Sequence, residues 1–390
     1  MKDVVIVSAV RTPIGRFLGG LSSMSAVDLG VVVVEAAMKR AGIKAEQVEN
    51  IVGGMVYKAA AKGNPARQVA IKVGVPVEAT ASTVDQQCAS AMRAFEIASQ
   101  GIMLGKEDIS IAFGVESMSN VPHMMIGSRN GYRMGDIKVV DGLTYDALVC
   151  GVYGKHMGFT AQNLAAQYHI SREEQDELAA LSHKRAVEAQ EAGRFDKEII
   201  PVEIKTRKGV MVVSKDEGPS TSSTAEVLGK LKPVFGETVT AGNASSINDG
   251  AAAIVLMSAD KAEALGIKPM ARLRSTASAG VAPEVMGIGP VYAIPKALKY
   301  ADLTMDDMEY YEINEAFAAQ FLACNRELKL PMDKVNANGS GISLGHPVGC
   351  TGIRIIVSLL HELERRNAKF GCASLCVGGG PAMATVVEML

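Results

Sequence analysis

The sequence predicts an α/β fold built from two copies of one layered unit. Short apolar strands alternate with helical segments along most of the 390 residues, which is typical of a largely parallel sheet wrapped by helices. The order of elements in the first third returns in the last third. The strand around Ile51 matches one around Tyr310, at an offset of 259 residues. Ala112 matches Ser374 at an offset of 262 residues, and an offset this constant indicates a duplication.

Each copy is predicted to read βαβαβαββ. Strands are assigned to short β-branched, apolar runs such as VVIVSAV, and helices to apolar residues that recur every three or four positions. In the first copy we expect strands at 4–10, 49–56, 81–85, 109–115 and 252–258, and helices at 26–41, 65–73 and from 88 to a glycine at 101 or 105. In the second copy we expect strands at 271–277, 308–313, 334–338, 371–377 and 384–389, and helices at 290–301, 315–328 and 349–366.

The closing strand of the first copy lies far along the chain from the strands before it, so a long insertion interrupts that copy. We therefore expect an N-terminal half (1–118 plus 249–270), an inserted loop domain (119–248) and a C-terminal half (271–390). The insertion is rich in Met, Gly, Tyr and charged residues and is predicted to hold only one long helix. A capping box of Ser171 and Glu174 begins that helix, and Gly193 ends it. Such an insertion is expected to act as a lid or a binding platform.

The composition excludes several functional classes. The 40 basic and 42 acidic residues nearly balance, so no nucleic-acid or membrane partner is expected. Six cysteines without zinc spacing indicate neither a metal site nor a disulfide scaffold, and the six histidines are scattered. The first residues resemble a strand rather than a signal peptide, and Glu35 breaks the longest apolar run. A cytoplasmic location is expected.

Cys88 is the first candidate for chemistry. A polar turn places it at the predicted start of a buried helix, SAMRAFEIASQ, among small neighbours that leave room for a ligand. Unpaired amides and the positive end of a helix dipole favour thiolate, so a pKa below the usual ~8.5 is expected. The alternative is that Cys88 is inert packing, as most buried cysteines are.

Three further candidates lie in the second copy. Under the repeat offset, His346 occupies the turn equivalent to that of Cys88, so a thiol and a base are expected to face one pseudo-twofold axis. Cys376 ends a buried strand before three glycines, which allow backbone amides to approach a ligand. Asn314 lies between a strand and a helix, where a simple N-cap is the alternative role.

These residues stand in motifs that resemble those of the thiolases: QQCASAMRAF, NEAFAAQ, GHPVGCTG and CVGGG, in this order. Segments of the insertion, including KHMGFTAQNLA and TAGNASSINDGAAA, are similar as well, so that the resemblance covers nearly the whole chain. KHMG is typical of the acetyl-CoA acetyltransferase branch of the family. The resemblance implies a five-layered α-β-α-β-α core, acetyl-CoA, acetoacetyl-CoA and CoA as substrates and products, and no permanently bound cofactor.

The resemblance also implies roles for individual residues. Cys88 would accept the acetyl group in a ping-pong scheme, and His346 would activate it. Asn314 would hold a water beside His346 to form one oxyanion site, and the amides of Cys88 and Gly378 would form the other. Cys376 would remove the α-proton of the second acetyl-CoA, because a thiol with a pKa of ~8.5 is a better match for a stabilised enolate than a carboxylate is.

CoA binding is expected mainly on the insertion, whose 119–142 segment resembles a tetramerisation loop and implies a homotetramer. Met157, Met286 and Phe317 are equally consistent with ordinary core packing. The residues expected to line the pantetheine tunnel and acyl pocket are His156, Met157, Leu231, Ala241, Ser245, Met286, Ala316 and Phe317.

Three departures from the family pattern affect these expectations. Ser220 stands where many members carry an Arg against the CoA adenosine. The segment TYDALVCGVYGKHMG is longer than the common version, and Pro381 follows the glycine run.

The alternatives are a 3-ketoacyl-CoA thiolase of broader or branched short-chain specificity, a carrier-protein condensing enzyme, and a thiolase-like lipid-binding or scaffold protein. The condensing enzyme is disfavoured because such enzymes lack the Cys376 base and the long insertion. The lipid-binding or scaffold protein is disfavoured because Cys88, Asn314, His346 and Cys376 are all present. A dinucleotide site at GSGISLG has the wrong glycine spacing.

Overall fold

The computed structural model describes residues 1–390, and its first elements follow the predicted order. A serine cap and a left-handed glycine fix the first helix: the Ser25 side chain accepts from the Asp28 N–H, and Gly42 at φ 67° ends the helix. The elements of this part are β1 (Val4–Arg11), β2 (Gly15–Arg16), α1 (Ala26–Ala41), β3 (Asn50–Gly54), α2 (Pro65–Lys72), β4 (Thr80–Val84), α3 (Ser90–Met103) and β5 (Ile109–Ser117).

The insertion carries two substantial helices, and the prediction of only one was wrong. The apolar residues at the start of the additional helix pack into a separate small core, and the ring of His156 accepts from the Gly158 N–H to cap it. The capping box of Ser171 and Glu174 is present at the long helix, as predicted. The elements are β6 (His123–Met124), β7 (Val140–Asp141), α4 (Met157–Gln167), α5 (Arg172–Glu191), β8 (Val202–Thr206), β9 (Gly209–Val213) and α6 (Ala225–Gly229).

The remaining elements close the first copy and build the second. Two predictions were wrong here: the helix expected from 315 begins at Ala318, and the strand expected at 334–338 is reduced to one bridge between Val335 and Tyr311. The elements are β10 (Asn248–Ser258), α7 (Ala259–Leu265), β11 (Ala271–Gly280), α8 (Pro290–Tyr300), β12 (Tyr310–Ile313), α9 (Ala318–Leu328), α10 (Gly341–Leu344), α11 (Val348–Arg366), β13 (Phe370–Cys376) and β14 (Pro381–Met389).

The strand order displays the duplication directly. The first copy pairs as β4-β3-β5-β10-β1 and the second as β12-β13-β14-β11, with β1 joining β11 only at Val5–Arg272 and Ile6–Ala271. Both copies contain parallel strand pairs. In the first copy β3 pairs with β4 and β5, and in the second copy β12 pairs with β13. Antiparallel pairs of β10 with β5 and of β14 with β13 then close each copy. Because β10 follows the insertion, residues 119–247 leave the first sheet and return to it.

Three apolar clusters show how the layers stack. The central cluster combines α3 and α11 with residues from strands of both copies, such as Ile254 and Met383. A second cluster joins α1 and α2 to the other face of the first sheet, and a third joins α8 and α9 to the other face of the second sheet. The result is the expected α-β-α-β-α order, with α3 and α11 buried in the middle. No helix is long and apolar enough to cross a membrane.

Candidate active site

The N-terminal ends of α3 and α11 lead to one cavity of about 770 Å³, which runs from the central layer to the surface beside the insertion. Hydrophobic residues form 18 of its 29 lining positions, so that the cavity suits a long, largely uncharged ligand. Cys88, His346 and Gly378 lie along its wall. The structure therefore brings residues from both copies to one space.

Cys88 lies in the turn before α3 rather than on its first residue, which corrects the prediction. The helix begins at Ser90, whose hydroxyl accepts from the Gln86 N–H at 2.9 Å and donates to the Gln87 carbonyl at 2.6 Å. Gln87 adopts a left-handed backbone at φ 49° to close this turn. The turn leaves Cys88 half-buried, with access to the cavity.

The Cys88 thiol is not the low-pKa group that its place at a helix start predicted. Burial raises its pKa to about 11, although the backbone N–H groups of Gly378 and of Cys88 itself act in the opposite direction. The desolvation cost of a thiolate here exceeds the benefit of the amides. The sulfur therefore rests as a thiol and needs a base to become a nucleophile.

His346 is held from three sides at the turn before α11. Its backbone N–H donates to Asn248 Oδ1 at 2.9 Å, and its Nδ1 lies 2.6 Å from Thr351 Oγ1. Since the Thr351 hydroxyl donates its proton to the Pro347 carbonyl at 3.0 Å, it accepts from His346 Nδ1–H. Nε2 then carries the lone pair. Burial lowers the pKa of His346 to about 3, so the ring is neutral and can accept a proton.

Asn314 lies beside the same ring. Its Nδ2 is 3.4 Å from His346 Nε2, and its fully buried Oδ1 has no hydrogen-bond partner within the protein. The backbone N–H of Asn314 donates to the Ser374 carbonyl at 3.0 Å. Because α9 is capped by Phe317 and begins at Ala318, the alternative role of Asn314 as an N-cap is wrong.

Cys376 lies at the end of β13, fully buried, and does not line the cavity itself. Burial raises its pKa well above the usual value, and the nearby Cys88 raises it further. Two residues on, the N–H of Gly378 is directed at the Cys88 sulfur. Pro381 does not disturb this arrangement, because its carbonyl accepts from the Val377 N–H at 3.0 Å and closes the glycine turn.

The residues expected to contact CoA come together along the cavity. The His156 ring stacks on Phe235 with centroids 4.1 Å apart, which forms an aromatic wall. Ala147 and Leu148 of the longer 144–155 segment supply the wall that the sequence left undefined. All eight expected residues line the cavity: His156, Met157, Leu231, Ala241, Ser245, Met286, Ala316 and Phe317.

Sequence reasoning missed three residues that hold this site together. Thr351 and Asn248 fix His346, as described above. Glu116, buried at the end of β5, accepts from the N–H groups of Val56 at 3.0 Å, Tyr57 at 3.1 Å and Gly349 at 2.8 Å. A Cβ at Gly349 would lie 2.4 Å from Glu116 Oε2, so only glycine permits this contact. A glutamate directly after the predicted buried strand at 109–115 was the available signal.

Two family models match the chain: Thiolase, N-terminal domain, over residues 4–260, and Thiolase, C-terminal domain, over residues 267–389. The chain belongs to the thiolase family. This membership fits the duplicated core and the cavity between the two copies.

Among similar proteins, an acetyl-CoA acetyltransferase from Cupriavidus necator is 50% identical over 392 residues, covering 100% of both chains. An acetyl-CoA acetyltransferase from Escherichia coli strain K12 is 48% identical, also over 100% of both. Of the solved structures, that of an acetyl-CoA acetyltransferase from Syntrophomonas wolfei superposes with a TM-score of 0.98 at 51% identity over 100% of both chains. A human mitochondrial 3-ketoacyl-CoA thiolase in complex with CoA gives 0.96 at 38% identity, over 100% of this chain and 98% of that one.

Proposed function

We propose that this thiolase catalyses the reversible Claisen condensation of two acetyl-CoA molecules to acetoacetyl-CoA and CoA, through an acetyl-Cys88 intermediate. The observation that carries the proposal is a half-buried thiol and a neutral imidazole, Cys88 and His346, along one largely apolar cavity. The names of the relatives that are about half identical over their full lengths support the choice of substrate.

In the first half-reaction, His346 Nε2 takes the proton of the Cys88 thiol, and the sulfur attacks the thioester carbonyl of acetyl-CoA. The N–H groups of Cys88 and Gly378, already directed at this sulfur, stabilise the developing oxyanion. Cys376, a protonated thiol, gives its proton to the departing CoA sulfur. The enzyme is left with an acetyl group on Cys88 and a thiolate at Cys376.

In the second half-reaction, Cys376 removes the α-proton of a second acetyl-CoA. The high pKa of this buried thiol makes its thiolate a strong base. His346, together with a water that Asn314 holds beside it, stabilises the enolate oxygen; the unpartnered Asn314 Oδ1 is free to accept from this water, which supports this role. The α-carbon then attacks acetyl-Cys88, and expulsion of the Cys88 sulfur, which recovers the proton held by His346, releases acetoacetyl-CoA.

The acyl end of the cavity is proposed to accept short chains. Met157 and Met286, both buried, lie beside Phe317, and their bulk limits the space past the reacting carbon. A 3-ketoacyl-CoA thiolase of broader or branched short-chain specificity is the alternative, since thioethers adapt their shape to the ligand.

Thiolysis rates across 3-ketoacyl-CoAs from four carbons upward test the proposal. We expect acetoacetyl-CoA to be cleaved far faster than substrates of eight carbons or more. Similar kcat/KM values along the series, or a preference for 2-methyl substrates, would favour the broader thiolase. Absence of turnover with every 3-ketoacyl-CoA would contradict the proposal altogether.

We further propose that residues 119–248 form a loop domain for CoA binding and assembly, between halves at 1–118 plus 249–270 and at 271–390. Side chains of this segment project into solvent, including Met134 at 99% and Ile126 at 51% exposure, which supports a homotetramer. A mass near four times 41.0 kDa by light scattering is the expected result. A cytoplasmic role in fatty acid metabolism completes the proposal.

A further inference from the structure

Charge is distributed very unevenly in the cavity. Among the 29 lining residues there is no Lys, Asp or Glu, and Arg16 is the only permanently charged side chain. Arg16 is exposed, as are two other lining residues, Phe17 at 45% and Val234 at 57%. The charge therefore stands at the mouth, whereas Cys88 and His346 lie at the inner end.

The backbone around Arg16 is fixed from two directions. β2 pairs with β10, which places Arg16 opposite Asn248, the residue that holds His346. The Glu217 carboxylate accepts from the backbone N–H groups of Arg16 at 2.8 Å and Gly20 at 2.9 Å. The guanidinium itself forms no hydrogen bond or ion pair within the protein. The backbone of Arg16 is thus fixed, whereas its guanidinium has no partner within the protein.

A second polar group faces Arg16 across the mouth. His183, on α5, lines the cavity, and its buried Nδ1 has no hydrogen-bond partner. Burial and, to a smaller extent, the charge of Arg16 lower the pKa of His183 to about 4, so the guanidinium lies close enough to affect the ring. By contrast, Ser220, where many family members have an arginine, lies outside this cavity and contacts Ser222 at 2.8 Å.

We propose that Arg16 binds a phosphate group of the CoA nucleotide, with His183 beside it as a neutral hydrogen-bonding partner. The inference rests on the proposed function. CoA carries its charge only at the nucleotide end, and the guanidinium fork matches phosphate oxygens. A single cation at the mouth draws that end outward and directs the thioester inward to Cys88. In this chain Arg16, from the N-terminal loop, provides the cation that position 220 lacks.

Kinetics of Arg16→Ser test the inference against Arg207→Ser, which removes an exposed arginine from the distant turn between β8 and β9. We expect Arg16→Ser to raise KM for CoA about 10-fold to 100-fold, the range for a charge-assisted hydrogen bond, with kcat within about twofold. Arg16→Lys should recover part of the loss, and Arg207→Ser should match wild type. Acetoacetyl-N-acetylcysteamine has no phosphate, and with N-acetylcysteamine in place of CoA as the acceptor thiol it should be cleaved equally by all four proteins.

Dephospho-CoA identifies the phosphate involved. If Arg16 binds the 3′-phosphate, wild type should bind dephospho-CoA more weakly than CoA, and Arg16→Ser should bind dephospho-CoA as well as wild type does. If Arg16 binds the pyrophosphate, Arg16→Ser should still bind dephospho-CoA more weakly than wild type does. Either result supports the inference. An unchanged KM for CoA in Arg16→Ser, or an equal loss with the N-acetylcysteamine thioester, would overturn it. Calorimetric titration of CoA into wild type and Arg16→Ser gives the same test without turnover, so a failure of the proposed activity stays separate.

Discussion

The turns before α3 and α11 occupy equivalent places in the two copies, yet they are built in opposite ways. The first presents Cys88 half-buried, and the hydrogen bonds to its sulfur come from the backbone N–H groups of Gly378 and of Cys88 itself. The second presents His346 buried and fixed by Asn248, Thr351 and Asn314. One copy of the fold therefore provides a nucleophile whose side chain few hydrogen bonds fix, and the other provides a base whose ring is fixed by hydrogen bonds.

The strand ends show the same asymmetry. In the second copy, β12 ends just before Asn314, which lies beside His346, and β13 ends at Cys376, which lies near Cys88. In the first copy, β5 ends close to Glu116, which binds backbone amides of both copies instead. Duplication thus supplied two sets of similar strand ends. Those of the second copy provide residues for the chemistry, whereas Glu116 in the first copy joins the two copies to each other.

The largest expected effect separates the two cysteines. Cys88→Ser should abolish both half-reactions, because no nucleophile remains to accept the acetyl group. Cys376→Ser should still form the acetyl-enzyme from acetyl-CoA, because CoA can leave as a thiolate without the proton of Cys376, but condensation should fall by roughly 10² to 10⁴, the usual contribution of a general base. Intact-mass spectra with [1-¹⁴C]acetyl-CoA labelling and peptide mapping measure the first step, and acetoacetyl-CoA formation measures the second.

Cys350→Ser is the matched control, since Cys350 is buried like Cys376, but only Cys376 lies close enough to Cys88 for the two thiols to affect each other. It should retain labelling at Cys88 and most of the activity. A label on any other cysteine, or near-normal condensation by Cys376→Ser, would contradict the division of roles.

The sequence predicted the duplicated fold because hydrophobic periodicity is repeated at a constant offset, which is a local signal. Through the family motifs it also predicted residues that line the cavity, among them Cys88, His346 and Gly378, whereas Asn314 and Cys376 lie outside the lining. It failed for the pKa of Cys88, because the amides near the sulfur are visible in a helix-start pattern whereas the burial of that sulfur is not. It missed Glu116 for a related reason: its partners, at Val56 and Gly349, are distant in sequence and contribute only backbone.

A smaller effect concerns the carboxylate that joins the copies. Burial raises the pKa of Glu116 to about 7 from its usual 4.5, so the folded state holds this proton more tightly than the unfolded chain does. Its contribution to stability should be complete below pH ~4.5 and lost as the pH rises to about 7. Relative to Glu116→Gln, which does not titrate, the free energy of unfolding of wild type should fall by roughly 2 to 3 kcal/mol across this range.

Urea unfolding of both proteins at pH 5 and pH 8 measures this difference. Glu35→Gln, which alters an exposed carboxylate on α1, should show no such change relative to wild type. A constant difference between wild type and Glu116→Gln at the two pH values would mean that Glu116 does not titrate in this interval.

The smallest expected effect tests how far the rigid setting of His346 matters. Thr351→Val removes the acceptor for His346 Nδ1–H while keeping the shape of the side chain, so the ring can place its proton on Nε2, where it cannot take the Cys88 proton. A hydrogen bond of about 1 kcal/mol corresponds to a roughly fivefold lower kcat. Thr351→Ser restores the acceptor and should recover wild-type kcat.

The pH dependence of kcat/KM is a second test of the same setting. Because burial lowers the pKa of His346 to about 3, neither wild type nor Thr351→Ser should show an inflection in kcat/KM near pH 6.5. An acid limb centred there, or equal kcat for the Val and Ser variants, would show that the ring is not held as a neutral base, and the contrast between the two turns would then rest on position alone.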